Sequence, residues 1–228
     1  MTDTANQTEV KSIAILGGTG DLGGGLARQW SRAGYQILIG SRTLEKGNAA
    51  ADALLAEFPD LNVTGHENLD AATQADLVVL TVPFAHQLST LETVKPGLIG
   101  KILVDVTVPL IPPKVGTVQL PAAGSAAQQG QEFLGDEVQV VSAFQNVGAQ
   151  HLQEDHAIDC DVLVTGNKRA AREAVISLVE AVGLKGWHAG PLANAAAAEA
   201  MTSILITINR HHKIEGAGIV ITGESKTE

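Results

Sequence analysis

The sequence has one cysteine, few aromatic residues and no long apolar run, and each of these absences excludes a class of protein. Cys160 is the only cysteine in 228 residues, so an intrachain disulfide and a thiolate metal cluster are both excluded. Aromatic residues make up 3% of the chain, so the core has to be built mainly from Ala, Val, Leu and Ile. No stretch reaches the roughly 18 uninterrupted apolar residues of a membrane-spanning helix.

Basic residues are also in short supply. The chain has 15 Lys and Arg against 25 Asp and Glu, a formal net charge of -10, so nucleic acid and anionic membrane surfaces are not expected partners. An anionic small molecule would have to be held by local groups. The first ten residues, MTDTANQTEV, have no apolar run, so we expect no signal peptide and a cytoplasmic location.

The most informative stretch runs from Lys11 to Arg42. KSIAILG and YQILIG have strand character, and between them lie a glycine-rich turn and an amphipathic helix. Gly18, Gly20 and Gly23 match G-x-G-x-x-G in the strand-to-helix context of a dinucleotide-binding turn. We expect Gly18 to adopt dihedrals that a β-carbon resists, Gly20 to let a pyrophosphate approach, and Gly23 to let the helix pack closely. The alternative is a tight glycine turn that binds nothing.

The end of the second strand indicates which dinucleotide is bound. NAD-binding proteins usually carry an acidic residue here, about 20 residues after the glycines. This chain instead has Ser41 and Arg42, followed by Lys46. Arg42 could meet a 2′-phosphate as a planar fork, Ser41 could donate a hydrogen bond and Lys46 could add a point charge. We therefore predict NADP(H), and the alternative is a solvated basic pair.

The alternation of strand and helix patterns predicts the fold class. Apolar runs such as DLVVLTVP, KILVDVTVP and VQVVSAF are typical of parallel strands covered on both faces. We predict a Rossmann-type α/β fold with a doubly wound, mostly parallel sheet and a small C-terminal helical part. Residues 1-150 would form the NADP-binding domain and 151-228 a smaller α/β-to-helical part for substrate binding or dimerisation. Its long helix, PLANAAAAEAMTSILITINRHH, could pack on the protein body or form a homodimer contact.

Ligands in such sheets lie beyond the carboxyl ends of the strands. DLVVLTVP ends at Pro83, so Thr81, Val82 and Pro83 and the following Phe84 and His86 are expected to border the cofactor. His86 could orient the nicotinamide, transfer a proton, or be an ordinary helix residue. Asn146, just past VQVVSAF, could bind a carbonyl or carboxamide group, or be a plain loop residue.

A proline-rich segment, PLIPPKVGTVQLP, follows the strand KILVDVTVP and cannot form regular structure. It leaves the sheet at a place from which it could cover a nicotinamide. No metal site is expected, because His211 and His212 are adjacent and point about 100° apart on a helix. Cys160 fits a small buried thiol better than a nucleophile.

Several of these segments together resemble the family of NADPH:coenzyme F420 oxidoreductases. They are ILGGTGDLGGGLA, IGSRTLEK, LTVPFAH, GSAA at 124–127, VSAFQN and AGPLANA, in the family order and spread over most of the chain. The resemblance implies hydride transfer between NADP(H) and the deazaflavin coenzyme F420, which would lie in a cleft over the nicotinamide. The proline-rich segment does not align with the family's covering segment. A flavin, imine or carbonyl acceptor, or a non-catalytic NADP(H)-binding redox sensor, therefore stays open.

The site expected from the motifs and the resemblance has three parts. The cofactor contacts are Gly18, Thr19, Gly20, Asp21, Leu22, Gly23, Ser41, Arg42, Lys46, Thr81, Val82, Pro83, His86, Val106 and Asn146. The acceptor contacts are Asn146, Val147, Pro191 and Leu192, and the candidate catalytic residue is His86. Hydride transfer between two stacked rings needs positioning and exclusion of water, with no nucleophile or metal. Only an imine or carbonyl acceptor would need a proton donor.

Overall fold

The computed structural model describes residues 10–154 and 156–223. Within them eight strands form one sheet: β1 (Ser12–Leu16), β2 (Gln36–Ser41), β3 (Val63–Glu67), β4 (Leu77–Leu80), β5 (Ile102–Asp105), β6 (Gln139–Ser142), β7 (Asp161–Gly166) and β8 (Lys185–His188). The strand order is β3-β2-β1-β4-β5-β6-β7-β8. All neighbouring pairs are parallel except β6 and β7. The predicted doubly wound, mostly parallel sheet is confirmed.

Helices cover both faces of the sheet. They are α1 (Asp21–Arg32), α2 (Leu44–Glu57), α3 (Asn68–Gln74), α4 (Gln87–Leu98), α5 (Ala126–Leu134), α6 (Arg169–Ala181) and α7 (Ala195–His212). Residues of α1, α2 and α6 belong to one buried cluster, and residues of α3, α4, α5 and α7 belong to a second. The central strands contribute alternately to the two clusters: in β1, Ile13 and Ile15 belong to the first, and Ala14 and Leu16 belong to the second. This two-sided burial explains why the central strands are continuous apolar runs.

The C-terminal strands extend the same sheet. β6 and β7 pair through two residue pairs, Val141 with Gly166 and Ser142 with Thr165. Trp30 of α1 also joins the two halves of the chain, because its indole Nε1 donates a 2.9 Å hydrogen bond to the carbonyl of Leu178 in α6. The division into parts at residue 150 stays a prediction.

The structure agrees with the prediction of an irregular segment and differs from the predicted start of the last helix. Residues 106–125 contain no helix or strand, as expected from their prolines. The sequence suggests that Pro191 is the first residue of the last helix, but the structure places Pro191 before that helix. This residue precedes a short 3-10 turn, Leu192–Asn194, and α7 begins at Ala195. Among the described residues, no helix is both long enough and apolar enough to span a membrane.

Candidate active site

The glycine turn between β1 and α1 differs from its expected geometry at one residue. Gly17 has a left-handed backbone with φ of 79°, whereas Gly18 has no positive φ. A β-carbon on Gly18 would lie 3.0 Å from the carbonyl oxygen of Ile15 and 3.1 Å from Cγ2 of Ile39. The conformational role expected of Gly18 therefore belongs to Gly17, and Gly18 is instead constrained by tight packing. The two adjacent glycines hide this difference in the sequence.

Gly20 and Gly23 have the surroundings that the motif predicts. A β-carbon on Gly20 would meet nothing nearer than the carbonyl oxygen of Gly17 at 3.6 Å, so the space in front of it is open. A β-carbon on Gly23 would lie 2.5 Å from Oγ1 of Thr81 and 2.8 Å from Cα of Gly18, so α1 packs directly on the sheet there. Gly20 caps α1 without a side chain, which leaves the positive end of the helix accessible.

A cleft of about 960 Å³ lies beyond the carboxyl ends of β1, β2, β4 and β5. The predicted site residues that line it are Thr19, Gly20, Asp21, Leu22, Ser41, Arg42, Lys46, Thr81, Val82, Pro83, His86 and Val106. Residues distant in sequence therefore meet in one cavity that extends from the glycine turn to the end of β5. Gly18 and Gly23 support this cavity from behind and do not line it.

Phe84, expected beside the cofactor, also lines the cleft, and seven lining residues were absent from the expected site: Gly17, Ser89, Thr90, Thr107, Val108, Leu110 and Ala149. Ser89 and Thr90 follow His86 by three and four residues, so they share its side of α4. This spacing could have identified them. Leu110 belongs to the proline-rich segment that was expected near the nicotinamide, whereas Ala149 begins a short 3-10 turn for which the sequence carries no comparable signal.

One end of the cleft is basic. Ser41 ends β2, and Thr43 caps α2 by accepting a 3.5 Å hydrogen bond from the backbone N–H of Lys46. This cap places Lys46 in the first turn of α2, close in sequence to Arg42. Both side chains are exposed, and neither has an ion-pair or hydrogen-bond partner among residues 10–154 and 156–223. Two cations at the mouth of a cleft are thus available to an anionic ligand.

The middle of the cleft is bordered by the segment after β4. The Thr81 hydroxyl donates a 2.9 Å hydrogen bond to the carbonyl of Leu16, which joins the ends of β4 and β1. His86 is exposed, and its backbone N–H donates to the carbonyl of Pro83 at 2.8 Å. Among the described residues, its imidazole has no hydrogen-bond partner that would fix a tautomer. His86 is therefore placed to touch a ligand, and no neighbour among the described residues fixes which ring nitrogen carries the proton.

Buried polar residues support the end of β5. Asp105 is fully buried, and its carboxylate accepts hydrogen bonds from the Thr107 N–H at 2.8 Å and from Nε2 of Gln87 at 2.6 Å. Nε2 of Gln87 also donates to the Ala126 carbonyl at 2.8 Å. Burial raises the pKa of Asp105, and its hydrogen bonds oppose this shift in part. The Gln87 amide thus joins the start of α4, the end of β5 and the start of α5.

A second buried carboxyl group lies at the start of α5. Glu199 of α7 accepts hydrogen bonds from the backbone N–H groups of Ala126 at 2.6 Å and Ala127 at 3.0 Å. Burial raises the pKa of Glu199 to about 8, and the nearby Asp105 contributes to this increase. Neither Asp105 nor Glu199 was identified from the sequence as part of the site.

The four expected acceptor contacts lie outside the cleft. Asn146 is buried, and its Nδ2 donates to the carbonyl of Asp161 at 2.7 Å and to Sγ of Cys160 at 3.2 Å. The expected contact of Asn146 with the cofactor stays a prediction: its Nδ2 bonds to the start of β7, whereas its buried Oδ1 has no hydrogen-bond partner among the described residues. Val147 and Leu192 are buried, and Pro191 precedes the turn before α7.

The chain is similar to known proteins over most of its length. The family model described as NADP oxidoreductase, coenzyme F420-dependent, matches residues 12–109. A protein of Methanothermobacter marburgensis named F420-dependent NADP reductase is 40% identical over 218 residues, which cover 92% of this chain and 97% of that protein. A protein of Methanocaldococcus jannaschii with the same name is 41% identical over 219 residues, again covering 92% and 97%.

A solved structure agrees with these sequence relatives. A crystal structure from Arthrobacter sp. FB24, provisionally titled an F420-dependent NADP-reductase, superposes with a TM-score of 0.80 at 26% identity. The superposition covers 94% of this chain and 100% of that one. The similarity therefore includes the C-terminal strands and α7 as well as the residues around the glycine turn.

Proposed function

The chain belongs to the F420-dependent NADP reductase family, and from this premise we propose that it transfers a hydride between NADP(H) and coenzyme F420 in the 960 Å³ cleft. The observation that carries the cofactor assignment is the pair of available cations, Arg42 and Lys46, beside Ser41. They stand where an NAD-binding protein would carry an acidic residue. The open space at Gly20 lies in the same cleft, so the residues present fit a dinucleotide with a 2′-phosphate.

Each part of the cleft has a distinct proposed role. The glycine turn and the first N–H groups of α1 bind the pyrophosphate, and Arg42 binds the 2′-phosphate through charge-assisted hydrogen bonds. Val82 and Pro83 after β4, together with Val106 after β5, form the apolar walls against which the nicotinamide packs. The bound NADPH supplies the hydride.

The catalytic contribution of the protein is positioning. Donor and acceptor carbons have to be held about 3–3.5 Å apart with water excluded. Val108 and Leu110 extend the apolar wall beyond Val106, so we place the acceptor against them. Asn146, Val147, Pro191 and Leu192 are left out of this proposal because none of them lines the cleft.

The test is NADPH oxidation with F420, FMN and riboflavin offered in parallel, followed through the absorbance of the reduced nicotinamide. Turnover with F420 and not with the two flavins is expected. NADPH binding without turnover of any of the three would refute the acceptor assignment. In that case the chain would act as an NADP(H)-binding sensor or would use a different acceptor.

A second candidate function is reduction of an imine or carbonyl compound. The observation in its favour is His86, whose imidazole lines the cleft and has no partner among the described residues. Such an acceptor gains a proton as well as a hydride, and His86 could provide it. Turnover of a cyclic imine that is lost on His86→Ala would favour this function over F420 reduction.

We also propose that the chain forms a homodimer through α7 and resides in the cytoplasm. Ile204 of α7 is 53% exposed, and a second copy of the chain could cover it. Light scattering of the purified protein tests the dimer, and a monomeric mass would refute it. The division into a 1-150 domain and a 151-228 part accompanies this proposal, with α7 in the second part.

A further inference from the structure

The irregular segment 106–125 forms part of the cleft and then runs along α7. Its first residues, Val106, Thr107, Val108 and Leu110, line the cleft. The later residues lie against α7, where the backbone of Gly116 is so close that a β-carbon would be 2.8 Å from Oγ1 of Thr207. One irregular segment thus provides a cleft wall and a contact with the last helix.

A polar stripe on α7 bonds to this segment. We use the name "α7 stripe" for Glu199, Ser203 and Thr207, which are spaced four residues apart and so lie on one side of the helix. The Ser203 hydroxyl donates to the Thr117 carbonyl at 3.4 Å. The Thr207 hydroxyl lies 3.1 Å from the carbonyl oxygen of Gly116 and 3.0 Å from that of Ser203, and it can donate to either.

Glu199 forms hydrogen bonds with the backbone that follows the C-terminal end of the same segment. Its two oxygens accept the N–H groups of Ala126 and Ala127, immediately after residue 125. Glu199 is 1% exposed and Ser203 is 3% exposed. A buried polar group is unfavourable unless it is hydrogen-bonded, and most of the bonds of these residues go to the backbone at 116–127.

The N-terminal end of the segment belongs to the same buried hydrogen-bond network. The Thr107 N–H donates to Asp105, and Gln87 bridges Asp105 and the carbonyl of Ala126. Both ends of the segment therefore meet at Gln87. A change at Glu199 would reach Thr107, which lines the cleft, through a continuous series of hydrogen bonds.

We propose that Glu199, Ser203 and Thr207 are positioning residues that hold segment 106–125 against α7 and so fix the cleft wall against which the acceptor binds. The proposal rests on the proposed function for its acceptor. None of the three side chains lines the cleft, so they act through the segment. Loss of their hydrogen bonds would loosen the wall at Val108 and Leu110 without touching the glycine turn or Arg42.

The test uses two variants and a matched control. Glu199→Gln keeps the shape of the side chain but can accept only one of the two N–H bonds. The double variant Ser203→Ala with Thr207→Val removes both hydroxyls. Glu180→Gln, at an exposed glutamate of α6, is the control. For each protein we would measure the KM for F420, kcat, the Kd for NADPH, and the rate of tryptic cleavage after the exposed Lys114 in the segment.

In both variants we expect the KM for F420 and the cleavage rate at Lys114 to rise by about 3- to 10-fold, the range for a net loss of about one hydrogen bond. The Kd for NADPH should stay within about 2-fold of the control by the same relation. A purely structural role would change thermal stability and leave the KM for F420 unmoved. Equal values of KM and cleavage rate in the variants and the control would overturn the proposal.

The two proposals can fail separately. If the unmodified protein does not reduce F420, the proposed function fails. The cleavage rate at Lys114, with and without NADPH, still decides whether the α7 stripe holds the segment. Faster cleavage in both variants would support the proposal that the α7 stripe holds the segment, and unchanged cleavage would overturn it. A parallel loss of NADPH binding in both variants would also overturn it, because the effect would then not be confined to the acceptor wall.

Discussion

Removal of the Arg42 side chain should weaken the binding of NADPH but not the binding of NADH. Arg42 is exposed at the basic end of the cleft and has no partner among the described residues, so Arg42→Ala breaks no internal bond. A hydrogen bond to a charged group contributes about 1.5–3 kcal/mol. Because solvent screens an exposed pair and Lys46 remains nearby, the lower end of this range applies. We therefore expect the Kd for NADPH to rise by about 10-fold.

Titration calorimetry of both dinucleotides measures this effect. Affinity for NADH should change by less than about 2-fold, because that ligand has no 2′-phosphate for Arg42 to bind. Arg169→Ala is a matched control, since this arginine of α6 is 80% exposed and does not line the cleft. The difference between NADPH and NADH should also shrink as salt is added, because added ions screen exposed charges. An equal loss of affinity for both dinucleotides would refute the 2′-phosphate assignment.

Three further predictions concern the turn, the buried acid and the histidine. Gly20→Val should give a folded protein that no longer binds NADPH in calorimetry, because the added side chain fills the open space proposed for the pyrophosphate. Retained affinity would contradict the proposed pyrophosphate site. Because the pKa of Glu199 is raised from 4.5 to about 8, the folded state keeps a proton that the unfolded state has lost. The free energy of unfolding should therefore fall as pH rises from 4.5 to about 8 and then level off, and Glu199→Gln should reduce this slope in urea unfolding. The raised pKa of Asp105 gives a slope of the same sign, so some pH dependence should remain in the variant. His86→Ala should lower kcat with F420 by less than about 10-fold, since loss of general acid catalysis would cost about 100-fold or more.

Much of the dinucleotide half was predictable because its signals are local. The strands β1 and β4 are buried on both faces, which makes them unbroken apolar runs. The turn residues Gly20 and Gly23 follow from motif spacing. Other features depend on contacts that no local pattern records. Glu199 bonds to Ala126 across 73 residues. Gly17 and Gly18 are identical in the sequence, but they differ in backbone conformation and in what packs around them.

The expected acceptor contacts likewise depend on parts of the chain that are distant in sequence. Asn146 follows a strand end, where an amide often meets a ligand, but the antiparallel strand β7 provides a backbone carbonyl for it instead. The direction of β7 is set by the C-terminal part of the chain, and nothing around Asn146 in the sequence indicates it. Motif spacing and strand ends therefore indicated the cleft residues, whereas the partner of a single buried side chain such as Asn146 could not be predicted.

The contact between Trp30 and α6 gives the protein an internal optical reporter. Trp30 is fully buried, its indole bonds to the Leu178 carbonyl, and its ring meets Phe144 edge-on at 5.6 Å. The second tryptophan, Trp187, bonds through its indole to the carboxylate of Asp161 at 2.8 Å. Only the Trp30 bond joins the two halves of the chain, whereas the Trp187 bond lies within the C-terminal half. A Trp187→Phe variant would therefore leave an intrinsic fluorescence signal, with no added dye, that reports on loosening between the halves.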